Sequence, residues 1–156
     1  MPRNRPGALR ARETLGTRPR TREIPQPERI PGLSARTSLA IHHVEQEDGG
    51  YFLFPGATER ALRRYRRFLR TPGLGILYPR TSVCPSCPGC GLDDVRYARD
   101  ILDETLSRLP PRPRAELIGA VRALDRGYLL RTLPHPLLRP PLPWWHRRLA
   151  EGAEGW

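Results

Sequence analysis

The chain has 156 residues, a mass of 17.8 kDa and a formal net charge of +11. That length suffices for one small domain with tails and is too short for two sizeable cores. Apolar runs of only a few residues exclude a transmembrane span, and the Arg-rich opening 1–20 excludes a secretory leader; the expectation is therefore an intracellular, cytoplasmic protein.

All 27 basic residues are Arg, so the charge carries two readings. A polyanion partner, nucleic acid in particular, is one. A compositional bias that favours Arg, Pro, Gly and Ala together is the other. The distribution narrows the choice. Residues 1–38 hold nine Arg against three Glu, and residues 58–70 hold six Arg against one Glu, whereas 71–156 is nearly balanced.

In chain order, residues 1–38 contain six Pro and three Gly and show no helical or strand period. So little apolar surface predicts a disordered basic arm, able to lie along a phosphate backbone or to serve as a plain linker. Residues 39–54 predict a β-hairpin. Leu39, Ile41 and Val44 surround His42 and His43, Asp48-Gly49-Gly50 supplies the turn, and Tyr51 to Phe54 return as an aromatic strand.

Residues 57–70 predict a sharply two-faced helix. Ala61, Leu62, Tyr65, Phe68 and Leu69 fall within about 120° of arc, with Arg60, Arg63, Arg64, Arg66, Arg67 and Arg70 opposite. Pro72-Gly73 stops it. Leu74 to Tyr78 predict a short strand, and 79–91 a loop rich in Cys, Pro and Gly. A second helix is expected over 92–109, with Val95, Ala98, Ile101, Leu102, Leu106 and Leu109 on one face. A third is expected over 113–131, with Leu117, Ala120, Val121, Leu124 and Tyr128 as its stripe. These two predict an antiparallel pair. Residues 132–156 form a Pro/Trp-rich C-terminal arm. Trp144 and Trp145 either dock on that pair or, left exposed, mark a partner site. Arg139 to Pro143 has the polyproline II character that fits an aromatic groove. The fold class expected is α+β, mainly helical: a single domain over 39–131 with a β-hairpin, three helices and a Cys loop, flanked by extended tails.

The sharpest chemical signal is Cys84-Pro-Ser-Cys87-Pro-Gly-Cys90, which holds all three cysteines of the chain within seven residues. Reduced thiolates at this spacing suit a soft ion, and zinc is the expected cofactor. A closed structural zinc site takes four ligands. The fourth would come from His42, His43, His135, His146, Asp93 or Asp94, although His42 and His43 are more simply strand residues, and His135 or His146 would serve only if the tail folds back. A four-thiolate iron–sulfur cluster meets the same shortage. Cys84-Pro-Ser-Cys87 also has the C-P-x-C form of glutaredoxin-like thiol exchangers, a likeness confined to four residues.

Arg60, Arg63, Arg64, Arg67 and Arg70 are the expected nucleic-acid contacts, against the alternative of a merely solvated face. Asp100 and Asp103 stand four residues after Arg96 and Arg99, a spacing that predicts surface pairing. Hydrolase, nucleotide-binding and metalloprotease motifs are absent. The function expected is a small non-enzymatic binding protein, zinc-stapled through Cys84, Cys87 and Cys90 and associated with nucleic acid. The alternatives are a protein–protein adaptor using the helical pair with Trp144 and Trp145, and a thiol oxidoreductase using Cys84 and Cys87.

Overall fold

The computed structural model describes residues 28–48, 53–84 and 86–152. Five helices occupy them: α1 (Ala35–Asp48), α2 (Ala57–Leu69), α3 (Pro88–Gly91), α4 (Val95–Arg108) and α5 (Pro111–Arg131). Among the described residues there is no β-strand, only an isolated antiparallel bridge between Pro134 and Arg148. The α+β expectation is therefore corrected to an all-helical architecture. The predicted strand at Leu74 to Tyr78 is irregular, and the expected arm over 1–38 lies outside the described residues as far as position 27.

The predicted hairpin fails because its first half is helix α1; its turn and the start of its second strand, 49–52, lie outside the described residues. Ser34 starts α1 by accepting the Thr37 N–H on its hydroxyl at 3.2 Å. The face that α1 buries is Thr37, Ser38, Ile41 and Glu45, a four-residue repeat that is mostly polar. Each polar member has a distant partner. Ser38 Oγ accepts from the Ile30 N–H at 3.0 Å, and Thr37 Oγ1 donates to Glu116 of α5. Leu39, one of the three residues that suggested a strand, is exposed on the helix.

Glu45 explains how α2 begins. Its carboxylate is fully buried, yet Oε2 accepts from the Gly56 N–H and Oε1 from the Thr58 N–H, both at 2.8 Å. The first turn of α2 has no cap of its own, since its N-cap is Gly56 at φ 83°, a left-handed conformation open to glycine. A carboxylate from another helix supplies the missing acceptors and complements the dipole. Beyond this turn α2 follows its sequence closely, burying Ala61, Leu62, Tyr65 and Phe68.

α2 packs most extensively on α4, while α5 packs against α1 and α2 more than against its chain neighbour α4. Asp94 caps α4 by accepting the Arg96 N–H at 2.8 Å, and Pro111 opens α5 at a position where no backbone donor is needed. Ile30, Leu33, Leu53, Ile101, Leu102, Leu109 and Leu117 complete the centre. Ile30 and Leu33 precede the expected domain boundary, and both are fully buried.

The segment after α5 folds back. Trp145 is buried, and its indole N–H donates to Asp100 Oδ1 at 2.7 Å. His146 Nε2 meets the same carboxylate at 2.8 Å, and Tyr128 donates its hydroxyl proton to the Trp145 carbonyl at 3.1 Å. Asp100 thus serves the C-terminal segment instead of Arg96. Arg96 pairs with Asp94 at 2.7 Å, whereas the expected Arg99–Asp103 pair forms at 3.4 Å, with Arg99 itself buried and also held by Asp125.

Candidate functional site

The cysteine loop is built around Ser82 and Cys87. Ser82 Oγ donates to the carbonyls of Cys84 and Cys90, at 3.1 and 2.7 Å, and draws the two ends of the loop together. Cys87 caps α3 by accepting the Cys90 N–H on its sulfur at 3.2 Å. The Sγ atoms of Cys84, Cys87 and Cys90 all lie within 4.8 Å of one another, and those of Cys84 and Cys87 are 3.9 Å apart. Two thiolates on one tetrahedral zinc, with bonds of about 2.3 Å, stand roughly 3.8 Å apart. The three cysteines are therefore close enough to bind a metal ion. The Cys90 thiol and N–H, directed at Cys87, hold the Cys87 thiol below its ordinary value; the same interaction pushes Cys90 up to about 11.

Among the described residues no histidine or carboxylate joins this group. His42 sits on α1, its Nε2 3.0 Å from the Glu28 carbonyl, and His43 is exposed on the same helix. His135 Nδ1 accepts from the Leu137 N–H, and His146 is held by Asp100. Asp94 is occupied by Arg96, while Asp93 contributes its backbone carbonyl to Arg64. A bound ion would thus have three protein sulfurs and a fourth position for an exogenous ligand. Titration with cobalt(II) is expected to produce thiolate-to-metal absorption that Cys84→Ser, Cys87→Ser and Cys90→Ser together abolish. At a hundredfold excess of metal over Kd the wild type should gain about 2.7 kcal/mol of stability, and an unchanged melting curve would reject the site.

The arginine face of α2 divides into half-buried and exposed cations. Arg64 is half-buried and donates to the Asp93 carbonyl, its Nε at 3.0 Å, which ties α2 to the end of the cysteine loop. Arg60, Arg63, Arg67 and Arg70 are exposed. Arg60 lies over the Phe54 ring at 5.6 Å, and Arg63 pairs with Glu59 at 3.0 Å. Arg66 lies against Gly32, which has a φ of 86° and would bring a β-carbon within 3.0 Å of Arg66 Nη2.

Two clefts flank the C-terminal half of α2. The smaller, of about 340 Å³, is lined by Pro31, Glu59 and Arg63, Arg66, Arg67 and Arg70. The larger, of about 610 Å³, takes Arg64, Arg67 and Arg70 from α2 and adds Arg80 with Ile76, Leu77 and Tyr78 from the irregular segment. Arg131 shapes that segment. Its guanidinium donates to the carbonyls of Leu69, Thr71 and Gly73 at 2.7 to 3.0 Å, and its own carbonyl accepts from the Leu77 N–H. Arg80 and Tyr78 were not foreseen as site residues. An aromatic beside a cation at Tyr78-Pro79-Arg80 was the local signal, but only the α5 clamp places it next to α2.

Trp144 and Trp145 are largely covered by the chain's own residues. Tyr128 meets Trp144 at 6.0 Å between ring centroids, and the Arg99 guanidinium lies 4.3 Å over Trp145. The exposed apolar side chains towards that end are Leu129, Leu130, Leu133, Leu137 and Leu142. No described helix is long and apolar enough to cross a membrane. Fold and site together define a small helical protein with a three-thiol cluster beside a basic cleft. Comparison with known proteins finds no matching family model, no similar protein of curated function and no solved structure of matching fold.

Proposed function

We propose that the protein is a nucleic-acid-binding protein whose cysteine loop is stapled by zinc. The observation that carries this reading is the set of exposed cations Arg60, Arg63, Arg67 and Arg70 on one side of α2, beside a further exposed cation, Arg80. Zinc is favoured at the cysteines because thiolates are its preferred structural ligands and the Cys84–Cys87 sulfur separation already approaches that of a shared tetrahedral ion. Its role would be to hold the loop that receives Arg64 from α2. The thiol-exchange alternative gains less support: such chemistry places the first cysteine of the motif at a helix start, whereas the capping thiol here is Cys87.

The test is salt-dependent binding of a mixed-sequence nucleic acid. About four phosphate contacts should give a log–log salt slope near −3 to −4. Arg63→Glu, Arg67→Glu and Arg70→Glu together should lower the affinity at least a hundredfold and flatten the slope, in a variant whose melting temperature stays well above the assay temperature, since only the surface pair of Arg63 with Glu59 is lost. Binding that ignores both salt and these reversals would overturn the reading.

A further inference from the structure

The larger cleft combines two features that a duplex-phosphate site does not need. Arg64, Arg67, Arg70 and Arg80 line it together with the apolar and aromatic side chains Phe68, Pro72, Ile76, Leu77 and Tyr78. Phe68 and Leu77 are packed against the core, whereas Ile76 and Tyr78 remain 42% and 40% exposed. Among the described residues the one carboxylate in the cleft is Glu151, which pairs with Arg80. A half-exposed tyrosine beside cations is suited to a flat apolar body that carries an anion. The face of an unpaired base stacks on such a side chain, and its phosphate meets the arginines. In a duplex the bases are stacked on one another, so this surface would have nothing to take up.

We propose that this cleft binds an unpaired nucleotide of a single-stranded nucleic acid, with Tyr78 as the stacking platform and Arg67, Arg70 and Arg80 as the phosphate contacts. The proposal rests on the nucleic-acid reading above and specifies its substrate. Arg80 can serve once a phosphate displaces Glu151 from it. The clamp of Arg131 on the carbonyls of residues 69–73 holds the Tyr78 segment beside α2 before any strand arrives, so little ordering is left for binding.

The experiment compares an oligothymidylate with a duplex of equal phosphate number, by fluorescence anisotropy over one shared series of salt concentrations. The wild type is expected to bind the single strand at least tenfold more tightly. Tyr78→Ala should lose about tenfold or more of the single-strand affinity, the usual scale for one stacked base, and leave duplex affinity and salt slope unchanged. Tyr78→Phe should retain the affinity, and Glu151→Gln should raise it. The melting temperature of Tyr78→Ala, a surface change, reports that folding is intact. Equal affinity for the two forms, or a Tyr78→Ala variant with wild-type preference, would overturn the proposal while leaving the nucleic-acid reading in place. Displacement of the strand by thymidine monophosphate at concentrations matching the oligonucleotide's own Kd would assign the cleft to a small ligand and overturn it as well. Absence of binding to either nucleic acid would remove the underlying reading itself.

Discussion

Replacing Asp125 with alanine is expected to cost about 3 kcal/mol, the scale on which breaking a buried ion pair leaves a charge uncompensated. Asp125 lies on α5, and its Oδ1 accepts from the Tyr65 hydroxyl of α2 at 2.9 Å and from Arg99 Nε of α4 at 3.0 Å. One carboxylate therefore joins three helices. Without it, the nearly buried Arg99 keeps, among the described residues, Asp103, 3.4 Å away and well exposed, and the Trp145 ring, while the Tyr65 hydroxyl loses its acceptor. A fall of roughly 10 °C in melting temperature should follow. Asp125→Asn, which retains one acceptor oxygen, should lie between.

The same network sets an alkaline limit. Burial first, and the Asp125 charge second, raise the Tyr65 phenol above its ordinary value, and burial does the same to Tyr128. Both phenols stay neutral in the folded protein when an unfolded chain would ionise them. Their contribution is complete below about pH 10 and is lost progressively as the pH rises beyond it. Chemical denaturation at a series of pH values should show a decline confined to that side, shallower in Tyr65→Phe.

Glu45→Ala is the second large effect, expected at about 2–4 kcal/mol. The substitution leaves the Gly56 and Thr58 N–H groups inside the protein with no acceptor, at roughly 1–3 kcal/mol for each unsatisfied buried donor. Glu45→Gln should lose about half as much, because the carboxamide keeps one acceptor and presents an amino group to the other donor. Urea unfolding measures both. Since α2 carries the arginines, Glu45→Ala should also weaken nucleic-acid binding near its transition midpoint and not at low urea. Losses of stability equal to those of a surface alanine would show that α2 needs no cap from α1.

Helices α2, α4 and α5 were legible in the amino-acid order because each buries an apolar stripe. Ala61, Leu62, Tyr65 and Phe68 repeat with the helical period, and so do Val95, Ala98, Ile101 and Leu102; both sets are buried. The cysteine cluster was legible for a similar reason, since seven residues of loop suffice to bring three sulfurs together. Helix α1 was not. Its inner face is Thr37, Ser38, Ile41 and Glu45, of which Ile41 alone is apolar, so no helical stripe shows and Ile41 groups instead with Leu39 and Val44 as a strand former.

The chain order thus determined by itself whatever depends on near neighbours: the apolar stripes of three helices, the two-faced charge of α2 and the proximity of the thiols. Tertiary structure alone decided the rest. Arg99 finds Asp125 across 26 positions, Trp145 finds Asp100 across 45, and Glu116 finds Ser34 across 82. A buried polar group is acceptable only where the folded chain delivers its complement, and no local period encodes that. The same holds for the basic cleft, which exists because Arg131 draws the Tyr78 segment against a helix that ended several residues earlier.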